Sequence, residues 1–173
     1  MEAPLKAAMP ATASASQEIL ADELQVVEFQ LAEEIYAINL FHVKEIVQYT
    51  KVTRLPNSPG HILGIVDLRG EICTIFDIKN KLNLGDNGQL NAENAKVIVL
   101  DDKIIGYKLG ILVDNVLNVT SVAKDQIDQS QSSRDYDSSI LGIIKKPLRV
   151  DGKESCELVI LVDIKKIVGD ATI

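Results

Sequence analysis

The fold is set mainly by residues 24–40, which read LQVVEFQLAEEIYAINL. Hydrophobic and polar residues alternate through much of the two aliphatic runs, and this period of two is typical of β-strands. The residues Ala32, Glu33 and Glu34 separate the runs and are few enough for a tight turn. We therefore predict two antiparallel strands joined as a β-hairpin.

The pattern of this hairpin returns at residues 96–113 and continues along the rest of the chain. The equivalent residues, with their offsets, are Ala37 and Gly110 (73), Ile46 and Val119 (73), Gly64 and Gly142 (78), and Ile75 and Leu161 (86). The growing offset predicts longer loops in the second copy, at residues 130–139 and 150–154. Two copies of about five short strands favour two small barrels, because closure removes exposed sheet edges. Since each barrel would be small, we expect the two barrels to share a hydrophobic core.

The composition supports an all-β fold with a few short helices. The chain has 173 residues, enough for one domain or two small units with a common core. Val and Ile together number 37 against 19 Leu, and β-branched side chains favour strands. Eighteen Lys and Arg against 25 Asp and Glu give a net charge of −7 without a basic run, which argues against nucleic acid as a partner. No segment approaches the ~18 apolar residues that span a bilayer, so we expect a soluble chain without direct membrane insertion.

Few side chains could carry catalysis, and we predict no enzyme, no catalytic residues, no cofactor and no metal site. The histidines, His42 and His61, stand apart in the sequence, which favours ordinary structural roles. Cys73 and Cys156 lie beside alternating apolar residues, as buried reduced thiols do in a reducing compartment. No glycine-rich phosphate loop ending in Lys-Ser or Lys-Thr is present.

One enzymatic alternative concerns two aspartates. Asp77 and Asp163 occupy equivalent positions in the two copies, so a two-barrel acid hydrolase with paired carboxylates is an alternative, although a far weaker one. Each aspartate is followed by Ile-Lys, whereas an aspartic protease would have Thr-Gly or Ser-Gly. We therefore expect both aspartates to cap short helices.

Residues 43–70 have the composition of a protein interface. Glu45 stands among aliphatic residues, and Arg69 occupies a turn that follows an apolar strand. Between them, residues 55–60 predict a rigid loop with two prolines, and residues 61–64 predict one helical turn. A charged pair ringed by Val, Ile and Leu is typical of an interface in which Arg is the anchor.

These motifs resemble those of the CheW-like coupling proteins of bacterial chemotaxis, over about residues 25–168. The first copy resembles the family pattern at Phe29, Leu31, Ala37, Ile38, Val43, Glu45, Ile46, Pro56, Pro59, Gly64, Ile65, Leu68, Arg69, Gly70, Ile72 and Asp77. The second copy resembles it at Gly110, Ile111, Asp114 and Val116 and near residues 158–164.

The resemblance implies two intertwined five-stranded β-barrels. The CheW-like domain would span residues 24–168, between a disordered lead at 1–23 and a tail at 169–173. The first barrel would lie mainly in residues 26–85 and the second mainly in residues 96–164, with strand exchange between them.

The resemblance also implies a function. Such proteins are non-catalytic scaffolds that couple the tips of methyl-accepting chemoreceptors to the regulatory domain of the CheA histidine kinase. The chain would then be cytoplasmic and recruited to the inner face of the membrane through receptor arrays. The same adaptor role in a pilus or biofilm chemosensory pathway stays an alternative, since the sequence does not separate the two.

Matching positions imply two sets of site residues. The receptor-binding residues would be Val43, Glu45, Ile46, Asn57, Leu68 and Arg69. The kinase-binding residues would be Val52, Gly64, Gly70 and Ile72. Gly64 and Gly70 would also keep turns compact, because glycine tolerates positive φ.

Overall fold

A computed structural model describes residues 22–85, 90–130 and 139–169, and the structural statements below concern these residues. The predicted lead lies outside them up to residue 21, as do residues 131–138 of the predicted long loop and residues 170–173 of the tail. The strands are β1 (Glu23–Leu31), β2 (Glu34–Asn39), β3 (Val43–Gln48), β4 (Ile62–Leu68), β5 (Glu71–Phe76), β6 (Lys96–Leu100), β7 (Leu109–Val113), β8 (Asn115–Ala123), β9 (Ile127–Asp128), β10 (Ile140–Val150) and β11 (Lys153–Val162). The short α-helices are α1 (Ile78–Lys81), α2 (Asp102–Ile105) and α3 (Ile164–Gly169).

The strands form two sheets with matching orders. The sheet that we name sheet I has the order β3-β6-β7-β5-β4, and sheet II has the order β8-β1-β2-β11-β10-β9. Each sheet takes two neighbouring strands from the other sequence copy: β6 and β7 complete sheet I, and β1 and β2 complete sheet II. The two copies are therefore interlocked by strand exchange, and the predicted all-β class with a few short helices is confirmed.

The strand pairings reproduce the offsets of the sequence repeat. In sheet I, Ile75 pairs in parallel with Gly110, and in sheet II its equivalent Leu161 pairs with Ala37. The edge pairings agree as well, since Ile46 pairs with Ile98 and its equivalent Val119 pairs with Val27. Both the order of the strands and their register are thus duplicated.

In both sheets the chain that leaves one edge strand returns to pair with the other edge strand. Thr53, which follows β3, exchanges two backbone hydrogen bonds of 2.8 and 2.9 Å with Ile65 of β4. In sheet II the two-residue strand β9, which follows β8, pairs with β10 at Ile143 and Ile144. These pairings connect opposite edges, so each sheet curls round its own interior and leaves less open edge.

In each sheet a glycine lies where the returning chain pairs with the opposite edge strand. A Cβ atom on Gly64 would overlap the carbonyl oxygen of Thr53, and one on Gly142 would lie 2.6 Å from Ile127 Cγ2 and 3.0 Å from Asp128 O. Gly64 was expected to keep a turn compact. It lies instead inside β4, where the lack of a side chain permits close backbone approach. The expected helical turn at residues 61–64 is wrong for the same reason, because β4 already begins at Ile62.

Three hydrophobic clusters hold the molecule together. The largest lies between the sheets and includes Val27 and Phe29 of β1 and Ile98 and Leu100 of β6. Two smaller clusters fill the sheet interiors, one including Val26 and the other including Val97, Val99, Cys73, Val66 and Ile75. Because β1 and β6 contribute to clusters on both of their faces, they are buried on both sides, which the hydrophobic pairs in their sequences require. The largest cluster is the hydrophobic core that the two halves were expected to share.

Most of the extra length of the second copy lies in its hairpin, across which the offset rises from 78 to 86. The turns at Arg69-Gly70 and Asp151-Gly152 have two residues each, both at positive φ, so the expected long loop at residues 150–154 is wrong. The insertion instead extends β10 and β11 beyond the body of sheet II, and residues 147–156 are all exposed. Cys156 lies in this arm and is exposed, contrary to the expectation of a buried thiol, whereas Cys73 is buried as expected.

Candidate functional site

A β-bulge in β3 separates the side chains of the predicted receptor-binding strand. Val43 pairs with Leu100 and Glu45 pairs with Val99, so Lys44 is the extra residue. Directly paired residues share a face, and Leu100 and Val99 are neighbours on opposite faces of β6. Val43 therefore faces the cluster between the sheets, and Glu45 faces the interior of sheet I. Without the bulge, spacing by two would place both on one face.

Arg69 lies at the first position of the tight turn between β4 and β5, as predicted. Its φ is 55°, in the left-handed region that is unfavourable for a residue with a long side chain. Gly70 follows at φ 86°, where glycine is required, and its backbone N–H donates to Asp67 Oδ1 at 2.7 Å. The two-residue turn requires positive φ at this position, and the presence of arginine there is the basis of the hypothesis that its side chain serves a partner.

The fold brings Arg69 to Glu45, the charged pair singled out in the sequence. The guanidinium lies 3.2 Å from Glu45 Oε2, with the Arg69 side chain 82% exposed and the Glu45 side chain 31% exposed. These residues come from β3 and from the β4–β5 turn, next to the two edges of sheet I, so their contact depends on the curling of the sheet. An exposed pair of this kind contributes at most about 1 kcal/mol to folding.

A shallow pocket of about 140 Å³ opens beside this pair. Its apolar lining comes from Leu68, Cys73, Val99 and Leu100, and its polar lining comes from Lys44, Glu45, Arg69, Glu71, Asp102 and Lys108. We name it the charged pocket. Sequence reasoning missed four of its polar members, namely Lys44, Glu71, Asp102 and Lys108, because their spacing along the chain carries no signal.

Two further ion pairs surround the charged pocket. Lys44 Nζ lies 4.0 Å from Asp102 Oδ1, and Lys108 contacts Glu71. The hydrogen bond from Lys108 lowers the pKa of Glu71, which keeps that carboxylate charged. At the floor, burial raises the pKa of the Cys73 thiol, so it is protonated and unreactive at neutral pH. The pocket therefore presents compensated charges around an apolar, unreactive floor.

Aliphatic side chains of β3 and β8 border the cluster between the sheets, on the face of β3 opposite to Glu45. Val43 packs at the border of the cluster between the sheets, and Ile46 is 37% exposed on the same side of β3. Their equivalents in sheet II, Val116 and Val119, lie in the same way, with Val119 56% exposed. We name these four residues the seam. Val119 was missed as a candidate, although its repeat offset from Ile46 could have indicated it.

The other predicted site residues are more scattered. Leu68 lines the charged pocket, whereas Asn57 is exposed in the loop before β4 at φ 59° and does not line that pocket. Val52 packs against the interior cluster of sheet I, and Ile72 of β5 is 58% exposed. Buried Gly64 could affect a partner only through the backbone that it supports.

The two aspartates of the enzymatic alternative cap separate helices. Asp77 accepts a hydrogen bond of 3.1 Å from the Asn80 backbone at α1, and Asp163 accepts one of 3.1 Å from the Lys165 backbone at α3. The expected capping role is confirmed, and the two pockets that Asp77 lines do not include Asp163. Burial and the nearby Lys165 lower the pKa of His42, which favours its neutral form.

Two absences concern residues 22–85, 90–130 and 139–169. Within them, no group of three or more His, Cys, Asp or Glu side chains could hold a metal ion. None of their helices is long and apolar enough to cross a membrane.

The fold and the site define a class of protein: a two-sheet β scaffold whose surface carries a charged pocket and partly exposed aliphatic residues. Comparison with known proteins agrees. Residues 25–172 match the family model of the CheW-like domain, so the chain belongs to that family. CheW-like proteins are non-catalytic chemotaxis adaptors that couple chemoreceptors to the kinase CheA.

Individual relatives cover most of the chain. The chemotaxis protein CheW of Klebsiella aerogenes is 34% identical over 142 residues, 82% of this chain and 79% of that protein. The chemotaxis protein CheW of Thermotoga maritima is 26% identical over 151 residues, 87% of this chain and 91% of that protein. The crystal structure of the scaffolding protein TtCheW from Thermoanaerobacter tengcongensis has a TM-score of 0.67 and 28% identity, covering 83% of this chain and 86% of that chain.

Proposed function

We propose that the charged pocket and the seam bind the helical tip of a methyl-accepting chemoreceptor. The contact between Arg69 and Glu45 carries this proposal, because it holds a largely exposed guanidinium at the charged pocket, on a residue with an unfavourable backbone conformation. Arginine beside apolar surface is the common composition of an interface anchor.

Each part of this surface has a separate task. Ile46 and Val119 offer apolar area to one face of the receptor helix, in the manner of a helix in a groove. Arg69 and Glu45 fix the orientation of the helix through charge, as polar groups at the rim of an interface do. Leu68 lines the floor below them, and Asn57 and Val43 stay proposed as neighbours of the contact.

A second surface of sheet I would bind the regulatory domain of the kinase. Ile72 is the most exposed large hydrophobic residue of β5 and lies one residue after Glu71. Val52, Gly64 and Gly70 belong to the adjoining backbone of the same sheet. Each single interface can be weak, because many copies in an array supply avidity. Receptor binding would then recruit the chain to the inner face of the membrane.

The test of the receptor site is the Arg69→Glu variant, with binding to receptor tips and to the kinase measured separately. We expect receptor binding to weaken at least about tenfold, since a charged anchor is replaced by its opposite. Kinase binding and the melting temperature should stay near those of the wild type. Lys124→Glu makes the same change of charge at an exposed position directly after β8 and should affect neither partner. Receptor binding of the Arg69→Glu variant at wild-type strength would reject the proposal.

The test of the kinase site compares two equivalent residues. Ile72 and Leu158 are related by the repeat offset and are 58% and 54% exposed. We expect Ile72→Asp to weaken kinase binding and Leu158→Asp to leave it unchanged, with receptor binding intact in both variants. Equal loss in both variants would contradict a kinase site on sheet I.

A further inference from the structure

The arm formed by the ends of β10 and β11 lacks support on both faces and along both edges. Residues 147–156 are exposed throughout, and their hydrogen-bonded pairing runs from Pro147 with Cys156 to Val150 with Lys153. A two-stranded ribbon without a covering layer is only marginally stable in water. Leu148 and Val150 nevertheless remain 39% and 55% exposed. An additional strand would stabilise the arm.

Only one edge of the arm can accept a strand well. On the β10 side, Pro147 lacks a backbone N–H and so interrupts any new ladder. On the β11 side, the parallel partner β2 pairs with Val159, Ile160 and Leu161 only. In the described part of the chain, residues 153–158 of β11 therefore have no strand along their outer edge. These residues contain no proline.

The charges along this edge suit a second copy of the same chain. In a two-fold antiparallel pair, one residue must face its own copy, because hydrogen-bonded and non-bonded pairs alternate along the ladder. Centring on Glu154 or Glu157 would place like charges opposite each other. Centring on Cys156 would place Glu154 opposite an apolar Leu158. Centring on Ser155 places Lys153 opposite Glu157 of the second copy, and does so twice.

We propose that two copies of this chain associate through the free edge of β11, antiparallel and with Ser155 facing Ser155 of the second copy. The two arms then form one four-stranded sheet of order β10-β11-β11-β10. Leu148 pairs with Ser155 in each arm, so one row of the new sheet places a leucine on each side of the two serines. The strands of this interface contain none of Arg69, Glu45 and Ile72, so this inference does not depend on the proposed adaptor surfaces.

A disulfide that forms only in the proposed register tests the geometry. Residues directly opposite in an antiparallel pair have Cα atoms about 4.5 to 5.5 Å apart, within the range of a disulfide. In a full chain that also carries Cys156→Ser, we expect Ser155→Cys to form covalent dimers under mild oxidation. Lys153→Cys in the same background is the matched control, because its two copies would be about 13 Å apart. Cys73 is buried and does not interfere.

A charge exchange tests the same contact without cross-linking. We expect Lys153→Glu to raise the dissociation constant of the dimer about tenfold, measured by analytical ultracentrifugation, because both cross-strand ion pairs become repulsive. Adding Glu157→Lys should restore the wild-type value. The proposal is overturned if the wild-type chain stays monomeric at the highest concentrations, if Lys153→Cys cross-links as well as Ser155→Cys, or if the double exchange restores nothing.

Discussion

Sheets I and II share strand order and register but treat charge in opposite ways. In sheet II, Glu28 is buried and forms an ion pair with Lys146 inside the curl of the sheet. The repeat places Val99 and Leu68 at the equivalent positions of sheet I, where both are apolar. Sheet I instead carries its charges at the surface, in the contact of Arg69 with Glu45. The same scaffold therefore supports a buried ion pair in one half and a charged pocket at the surface of the other.

The comparison separates residues that hold the fold from residues that face a partner. In sheet II the Glu28 side chain is only 2% exposed, so removing its partner Lys146 leaves an uncompensated charge in an apolar interior. The pair in sheet I is screened by water and contributes little to folding. Charge in sheet II should therefore affect stability, and charge in sheet I should affect binding.

The largest expected effect comes from breaking the ion pair between Glu28 and Lys146 in sheet II. Lys146→Leu leaves Glu28 buried without a partner, and we expect it to lower the free energy of unfolding by about 3 kcal/mol. The double variant Glu28→Val and Lys146→Leu copies the apolar pair of sheet I and should recover most of that loss. Urea denaturation measures both. A double variant as unstable as the single one would show that the two halves are not interchangeable at this position.

The next effect compares Gly64 and Gly142, which lie where the returning chain packs against the edge strand of each sheet. We expect Gly64→Ala to destabilise by about 2 to 3 kcal/mol, because its Cβ would meet backbone at Thr53 that cannot rotate away. Gly142→Ala should cost about 1 kcal/mol less, because its nearest atom belongs to the side chain of Ile127, which can move. Thermal or urea unfolding gives the difference. An equal cost would indicate that both closures are equally tight.

A smaller effect concerns the two hairpin turns. Arg69→Gly should stabilise the chain by about 0.5 kcal/mol, because relief of the left-handed backbone, about 1 kcal/mol, exceeds the loss of an exposed ion pair. Asp151→Gly, at φ 52° in the turn of sheet II, should gain less because aspartate tolerates this conformation. Arg69→Gly should also lose receptor binding while its melting temperature rises. A fall in melting temperature would instead assign Arg69 to the fold.

The smallest effect is a pH dependence confined to sheet I. Burial and the facing Lys165 lower the pKa of His42 below 6.5, against an opposing contribution from Asp163. The unfolded chain then binds a proton more readily than the folded chain, so stability falls as the pH drops below about 6.5. The equivalent residue of sheet II is Asn115 and does not titrate in this range. Urea midpoints of the wild type and His42→Gln between pH 7 and pH 5 should diverge, and parallel midpoints would contradict this.

The sequence repeat predicted more of the fold than of the site. The offset of 73 that relates Ala37 to Gly110 and Ile46 to Val119 also relates the strand pairings of the two sheets. This is because register in doubly buried strands follows the hydrophobic pattern. The bulge at Lys44 was not predictable, since an extra residue disturbs alternation without a specific signature. Glu28 was also missed, because its partner Lys146 lies far away in the sequence. An insertion of eight residues looked like a loop but extends a hairpin, because inserted residues that alternate can continue a ladder.

The candidate site was predicted where single residues carried the signal. Arg69 in a turn and Glu45 among aliphatic residues were both recognisable from their neighbours. The rest of the charged pocket comes from several separate elements of sheet I, and only the curling of the sheet brings them together. Side chains such as Lys108 and Asp102 therefore looked like ordinary surface charges.

The most direct test of the central claim is to exchange the charges of the Arg69 and Glu45 pair. The double variant Glu45→Arg and Arg69→Glu keeps an ion pair within the chain but reverses what a partner meets. We predict a melting temperature within error of the wild type, unchanged kinase binding, and receptor binding as weak as that of Arg69→Glu alone. Recovery of wild-type receptor binding in the exchanged pair would contradict the account, because it would show that the pair serves only the fold.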